Sequence, residues 1–108
     1  MPSLPTGGQV AATDLSASLA QLEGWKLIEL DGAPAIEKSW QFADFHQTMT
    51  FANAVAGVAH MMDHHPDMTV SYNRCTVRYT THDAGGLTQR DLDAATRIDG
   101  LPEGFAAP

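Results

Sequence analysis

DFHQTMTFANAVAGVAHMMDHHP, residues 44–66, is the stretch on which the fold turns. Phe45, Met49, Ala52, Val55, Ala59 and Met62 recur at helical spacing, and Phe51, Ala54 and Val58 widen their stripe. Asp44 is a carboxylate placed to cap the first turn. Pro66 ends the helix near His64, because the residue before a proline is pushed out of the helical region. The spacing therefore predicts a long helix whose apolar surface is broader than one sheet face requires. That surplus predicts a second contact, with another helix or another subunit.

Outward from this helix the periodicity changes on both sides. Upstream, Leu15, Leu19 and Leu22 keep helical spacing, with Thr13 or Asp14 as the cap and Gly24 as the stop. Trp25–Leu30 and Ala35–Phe42 then read as strands joined through Asp31-Gly32-Ala33-Pro34. In the second, Ile36, Trp40 and Phe42 share one face and Glu37, Ser39 and Gln41 the other, the mark of an antiparallel sheet with one wet side. Downstream, Met68–Tyr72 and Cys75–His82 alternate in the same way about a tight Asn73-Arg74 link. Thr88-Gln89-Arg90-Asp91 has the form of a capping box, flanked by Leu87 and Leu92 as a staple, and Leu92, Ala95 and Ile98 face inward behind it. The expected fold is α+β: a four-stranded antiparallel sheet with three helices packed on one face, in the order α-β-β-α-β-β-α. Residues 1–12, with two prolines and two glycines, read as a loose arm, residues 13–99 as the domain, and residues 100–108 as a second loose segment.

Composition narrows the function. The 108 residues are enough for one domain, and 44% hydrophobic with 18% charged residues is an ordinary globular balance. A formal net charge of −7 argues against nucleic acid or an anionic membrane as partner. The single cysteine, Cys75, lies in an apolar-alternating run and reads as a small buried hydrophobe. No basic segment leads into an apolar run at the N-terminus, and no apolar run approaches about 20 residues, so a cytoplasmic protein is expected.

The chemistry is concentrated at the end of the long helix, where His60, Asp63, His64, His65 and Pro66 are followed later by His82 and Asp83. His60 and His64 are four apart and would share a helical face. Three readings of these histidines stay open on the residues alone. They could cap a helix end or sit solvated. His60, His64 and His82 could hold zinc, although no cysteine pair or HExxH pattern accompanies them. Or histidines with a reference pKa of about 6.5 could supply one donor and one acceptor for metal-free acid–base chemistry.

The pattern His60-x-x-x-His64-His65-Pro66, then five residues to Tyr72, nine to His82 and eight to Asp91, resembles the signature of the pterin-4a-carbinolamine dehydratases. Gly24-Trp25, Phe42-x-x-Phe45, Thr81-His82-Asp83 and Gly86-Leu87-Thr88 agree with it, so the resemblance spans about Leu15 to Ile98. It implies the fold just derived and a dehydration. A 4a-hydroxytetrahydropterin, left by an aromatic amino acid hydroxylase, would lose water to give the quinonoid dihydropterin. No cofactor or metal is implied, the pterin being the substrate. His64, His65 and His82 would be the catalytic residues, with His64 and His82 as the proton-transfer pair and His65 orienting the ring. His60, Asp63, Pro66, Arg90 and Asp91 would bind substrate: Asp63 as a supporting carboxylate, Asp91 at the mouth with Arg90 beside it. Asp91 would also close the capping box. His60 departs from the glutamate common at its position, and Met68 from a frequent aromatic or larger apolar residue. The apolar breadth of the long helix predicts a homodimer or homotetramer, and the resemblance implies an alternative role as a non-catalytic dimerisation, coactivator or assembly protein on the same fold. Trp25 and Trp40 read as core, and His46 as surface.

Overall fold

The structure, a computed structural model, describes residues 8–101. It contains α1 (Ala12–Gln21), β1 (Lys26–Leu30), β2 (Ala33–Gln41), α2 (Phe45–Met62), β3 (Asp67–Val70), β4 (Arg74–Tyr79), a single 3₁₀ turn (His82–Ala84) and α3 (Gln89–Asp99). The strands form one antiparallel sheet in the order β1-β2-β4-β3. The α+β architecture and element order expected from the periodicity are therefore present. Among the described residues no helix is long and apolar enough to cross a membrane.

Register separates the two faces of the sheet. Ile36 is paired with Tyr79, Lys38 with Val77 and Trp40 with Cys75 on the helix side, where Ile36, Cys75, Val77 and Tyr79 are completely buried. Between them, Glu37 pairs with Arg78 and Ser39 with Thr76 on the open side. There the Arg78 guanidinium donates to Glu37 at 2.7 Å, and the Ser39 and Thr76 hydroxyls are 2.7 Å apart. Trp25 meets Trp40 edge-on at 5.7 Å and Phe51 stacks between Trp40 and Phe42, so both tryptophans belong to the core, while His46 is exposed. Lys38 is a cation on the apolar side, and its ammonium reaches out to the Asp99 carboxylate (3.0 Å) and the Glu23 carbonyl (2.8 Å). Trp25 Nε1 donates to the same carboxylate, which ties the end of α3 to the α1–β1 connection.

Several boundaries differ from the pattern reading, each for a local reason. The cap of α1 is Ala11, with no side-chain bond, and Asp14 lies in the first turn, where its charge suits the helix dipole. β2 starts at Ala33 rather than Ala35. Asp31 and Gly32 both take positive φ (51° and 82°), which makes a two-residue hairpin sufficient and leaves Ala33 paired with Leu30. The β3–β4 turn is Ser71-Tyr72-Asn73 rather than Asn73-Arg74. The turn is held by Phe42 N–H on the Asn73 carbonyl and by the Thr48 hydroxyl on the Tyr72 carbonyl, so α2 fixes it. β4 stops at Tyr79, and His82 sits in the 3₁₀ turn, not on a strand. Residues 1–7 and 102–108 of the two expected loose segments lie outside the described residues. Gln9 and Val10, at the end of the first, are bound to the Ala84 and Leu87 carbonyls.

The broad apolar surface of α2 is largely absorbed within the chain. Phe51, Ala52, Val55 and Ala59 are buried, and Val58 and Met62 pack on the core beside them. The large apolar side chains that α2 leaves exposed are Phe45 and Met61, near its opposite ends.

Burial also pushes the Cys75 thiol up from 9.0 to about 11. The thiol's folded pKa is raised, so its contribution to stability is present below pH 9 and is lost as pH rises toward 11. Urea unfolding measured across that window should show stability falling, and Cys75→Ala should flatten part of the fall. An identical alkaline slope in the variant would exclude the thiol as its source.

Candidate active site

The site begins where α2 ends. The helix stops at Met62, and Asp63 takes the left-handed conformation (φ 50°, ψ 43°) usually left to glycine. Asp63 N–H bonds the His60 carbonyl and His64 N–H bonds the Ala59 carbonyl, the paired 5→2 and 6→1 bonds of a Schellman stop. The reversal corrects the helical pairing of His60 with His64. His60 remains exposed on the last turn of α2, whereas His64 folds back over the sheet and is buried. Beneath it the Tyr79 hydroxyl donates to the His64 carbonyl at 3.1 Å, and the two rings lie 5.0 Å apart. Burial, with a smaller effect from the Asp91 charge, pushes the Tyr79 phenol up to about 12, so it serves as a donor at any ordinary pH.

Asp91 is not at the mouth of the site. It is fully buried behind His64, and its two oxygens divide the work expected of it. Oδ2 accepts the Thr88 N–H at 2.9 Å, closing the capping box at the start of α3, and also the Thr81 hydroxyl at 2.8 Å. Oδ1 meets His64 Nε2 at 2.6 Å, a distance short enough for a charge-assisted bond. An ionised carboxylate only accepts, so with Asp91 charged the bond takes its proton from Nε2 and Nδ1 is the ring nitrogen outside it.

In front of His64 lies a cleft with two lobes. One, of about 220 Å³, is lined by Asp63, His64, His65, Thr80, Thr81, His82, Asp83 and Arg90. The other, of about 330 Å³, is lined by Leu30, Asp31, His65, Pro66, Asp67, Arg78, Thr80 and His82. His65, Thr80 and His82 form the wall they share. Of the residues singled out by the sequence, His64, His65, His82, Asp63, Pro66 and Arg90 thus meet at one cleft. His60 lines neither lobe. Arg90 is tied to Asp63 through the main chain, its Nη2 donating to the Asp63 carbonyl at 2.6 Å, so the two hold the rim together. Met68 packs on the core, which accounts for an aliphatic residue there. Among the described residues no three His, Cys, Asp or Glu side chains converge as a metal-binding group, since the turn at Asp63 separates His60 from His64.

Pattern reading missed Thr80, Thr81, Arg78 and Asp31. Arg78 and Thr80 read only as the polar phase of a strand, and Asp31 only as a turn residue. Thr81 stands in the Thr81-His82-Asp83 run, but nothing in one dimension shows that its hydroxyl reaches Asp91.

Residues 9–101 match the model of the family described as pterin 4 alpha carbinolamine dehydratase. The chain is 46% identical over 92 residues to a protein of Paracidovorax citrulli (strain AAC00-1), covering 85% of this chain and 79% of that one. It is 40% identical over 99 residues to one of Chromobacterium violaceum, covering 90% and 88%. Both bear a provisional pterin-4-alpha-carbinolamine dehydratase name. Among solved structures it is similar to a transcriptional coactivator/pterin dehydratase from Brucella melitensis, with TM-score 0.78, 30% identity, and coverage of 93% of this chain and 100% of that one. It also shares its fold, at TM-score 0.60 and 20% identity over 73% of this chain and 89% of the other, with a pterin dehydratase-like RuBisCO assembly factor of the alpha-carboxysome. With the family model matched over nearly all the described residues and relatives at this identity, the chain belongs to the pterin-4-alpha-carbinolamine dehydratase family.

Proposed function

We propose that this protein dehydrates a 4a-hydroxytetrahydropterin to the quinonoid dihydropterin by histidine acid–base catalysis, recycling the pterin of an aromatic amino acid hydroxylase in the cytoplasm. The observation that carries the reading is His64, held through Nε2 by a buried carboxylate at 2.6 Å, in a cleft it shares with His65 and His82. Hydroxide leaves C4a poorly, so the departing oxygen needs a proton as the C4a–O bond breaks, and the N5 proton must go to a base as the C4a–N5 double bond forms. With Nε2 engaged, Nδ1 of His64 is the acceptor for the N5 proton. His82, exposed on the 3₁₀ turn across the cleft, supplies the proton that leaves with the hydroxyl as water. His65, at the junction of the lobes, orients the ring, with Asp63, Pro66 and Arg90 around it. The ring nitrogen's lone pair drives the expulsion.

Self-association belongs to the same reading. Phe45, Met61, Tyr72, Val70 and Leu27 are large apolar side chains left exposed, and a homodimer or homotetramer would cover some of them.

The direct test follows 4a-hydroxytetrahydropterin dehydration in a coupled hydroxylase assay containing EDTA. The wild type should exceed the spontaneous rate. His64→Ala combined with His82→Ala should lose on the order of 100-fold or more, the range of a general acid–base contribution. A wild type no faster than the spontaneous reaction would leave the chain with the family's fold but without its chemistry. His65→Ala should lower kcat by about 10–100-fold through misplaced substrate while the circular dichroism stays native. Full turnover in that variant would remove the ring-orienting role. Sedimentation at micromolar concentration should give a dimer or larger species, and a monomer there would end the self-association proposal.

A further inference from the structure

We infer that Thr81 is a positioning residue that sets both histidines of the proposed proton-transfer pair relative to one another; the inference rests on that reading of His64 and His82. Thr81 is buried just past the end of β4; its main chain bonds within the loop that carries His82, and its side chain bonds the carboxylate behind His64.

Its main chain builds the loop that carries His82. Thr81 N–H donates to the Gly86 carbonyl at 3.0 Å, while its own carbonyl accepts Ala84 N–H at 3.1 Å and Gly86 N–H at 3.3 Å. Gly85, at φ 72°, makes the reversal that brings Gly86 back to it. His82 is therefore one peptide bond from an anchor bonded on both sides.

Its hydroxyl sets His64. A threonine hydroxyl has one proton, and Asp91 Oδ2, 2.8 Å away, can only accept it. Thr88 Oγ1, 2.9 Å from Thr81 Oγ1, must then be the donor of that second bond. The order is a single directed chain: Thr88 hydroxyl to Thr81 hydroxyl, Thr81 to Asp91 Oδ2, and His64 Nε2–H to Asp91 Oδ1. Thr81 thus fixes the rotation of the carboxylate that holds the His64 ring. A valine would fill the same volume and keep every main-chain bond. It would strip one of the two donors from Oδ2 and leave the Thr88 hydroxyl without its acceptor. A merely structural residue would tolerate that exchange with its neighbours' chemistry intact.

The test compares wild type, Thr81→Ser and Thr81→Val in the dehydration assay and by ¹⁵N-resolved NMR of the imidazoles. In the wild type, His64 should show a protonated Nε2 whose proton is strongly downfield, and a bare Nδ1. Thr81→Val should lower kcat by about 10–100-fold with little change in KM, the usual cost of losing an outer hydrogen bond to a positioned histidine. Its His64 Nε2–H signal should broaden or vanish. Thr81→Ser, which keeps the hydroxyl, should restore both. A folded Thr81→Val with wild-type kcat and an unchanged Nε2–H signal would overturn the proposal. So would a folded Thr81→Ser no better than valine. If Thr81→Val does not fold, Thr81→Ser still decides, because retention of the wild-type kcat and Nε2–H signal supports the hydroxyl's role and loss of either in a folded serine variant overturns it. A wild type without dehydration activity would end the functional reading alone, with the Nε2–H signal still deciding what Thr81 does.

Discussion

The contact between His64 Nε2 and Asp91 Oδ1 joins the C-terminal stop of α2 to the first turn of α3 across the end of β4. Each partner reaches it only because another interaction has already fixed its backbone. Asp63 in the left-handed region turns His64 off the helix, and Tyr79 holds its carbonyl from below. Asp91 is kept in place by Thr88, whose capping box it completes, and by Thr81. A buried carboxylate without such partners would carry a desolvation penalty of several kcal/mol. Here each oxygen is engaged, and among the described residues no buried side-chain nitrogen or oxygen lacks a partner. The cleft in front of His64 is shaped by the same bonds that close the ends of two helices.

That economy explains why one carboxylate serves helix stability and the candidate site together. The capping box uses Oδ2, which leaves Oδ1 free to face His64. The polar cleft adjoins the apolar core at Tyr79. Tyr79 belongs to both, its ring buried with Ile36 and Val77 and its hydroxyl spent on the His64 carbonyl. The core supplies a rigid floor, and the loops that cross it carry the chemistry-bearing groups.

The fold by itself does not select among functions. A coactivator/pterin dehydratase and a RuBisCO assembly factor have structures similar to this one, and the second resembles it at the level of fold alone. What supports catalysis in this chain is local: three histidines at one cleft and a carboxylate sequestered behind one of them. The Asp91 contact also closes the capping box of α3, so it is the three histidines gathered at one cleft, and not the buried carboxylate alone, that bear on function.

How much of this could be read in one dimension follows from what repeats locally. Helices and strands appeared in the periodicity because apolar residues must return to one side every 3.6 or two positions, and the capping box at Thr88 was legible because its partners are three residues apart. The histidines, spaced through the chain in a family pattern, were legible as candidates. Their arrangement was not. The turn at Asp63, which separates His60 from His64, depends on a backbone conformation that an aspartate adopts only occasionally. The placement of Asp91 behind rather than at the mouth, and the link from Thr81 to it, join positions 27 and 10 residues apart on different elements. Sequence determined which groups were present and which faces were apolar, since both are properties of neighbours along the chain. Only the tertiary structure decided which groups meet, because those contacts form between elements whose mutual placement comes from packing and not from spacing.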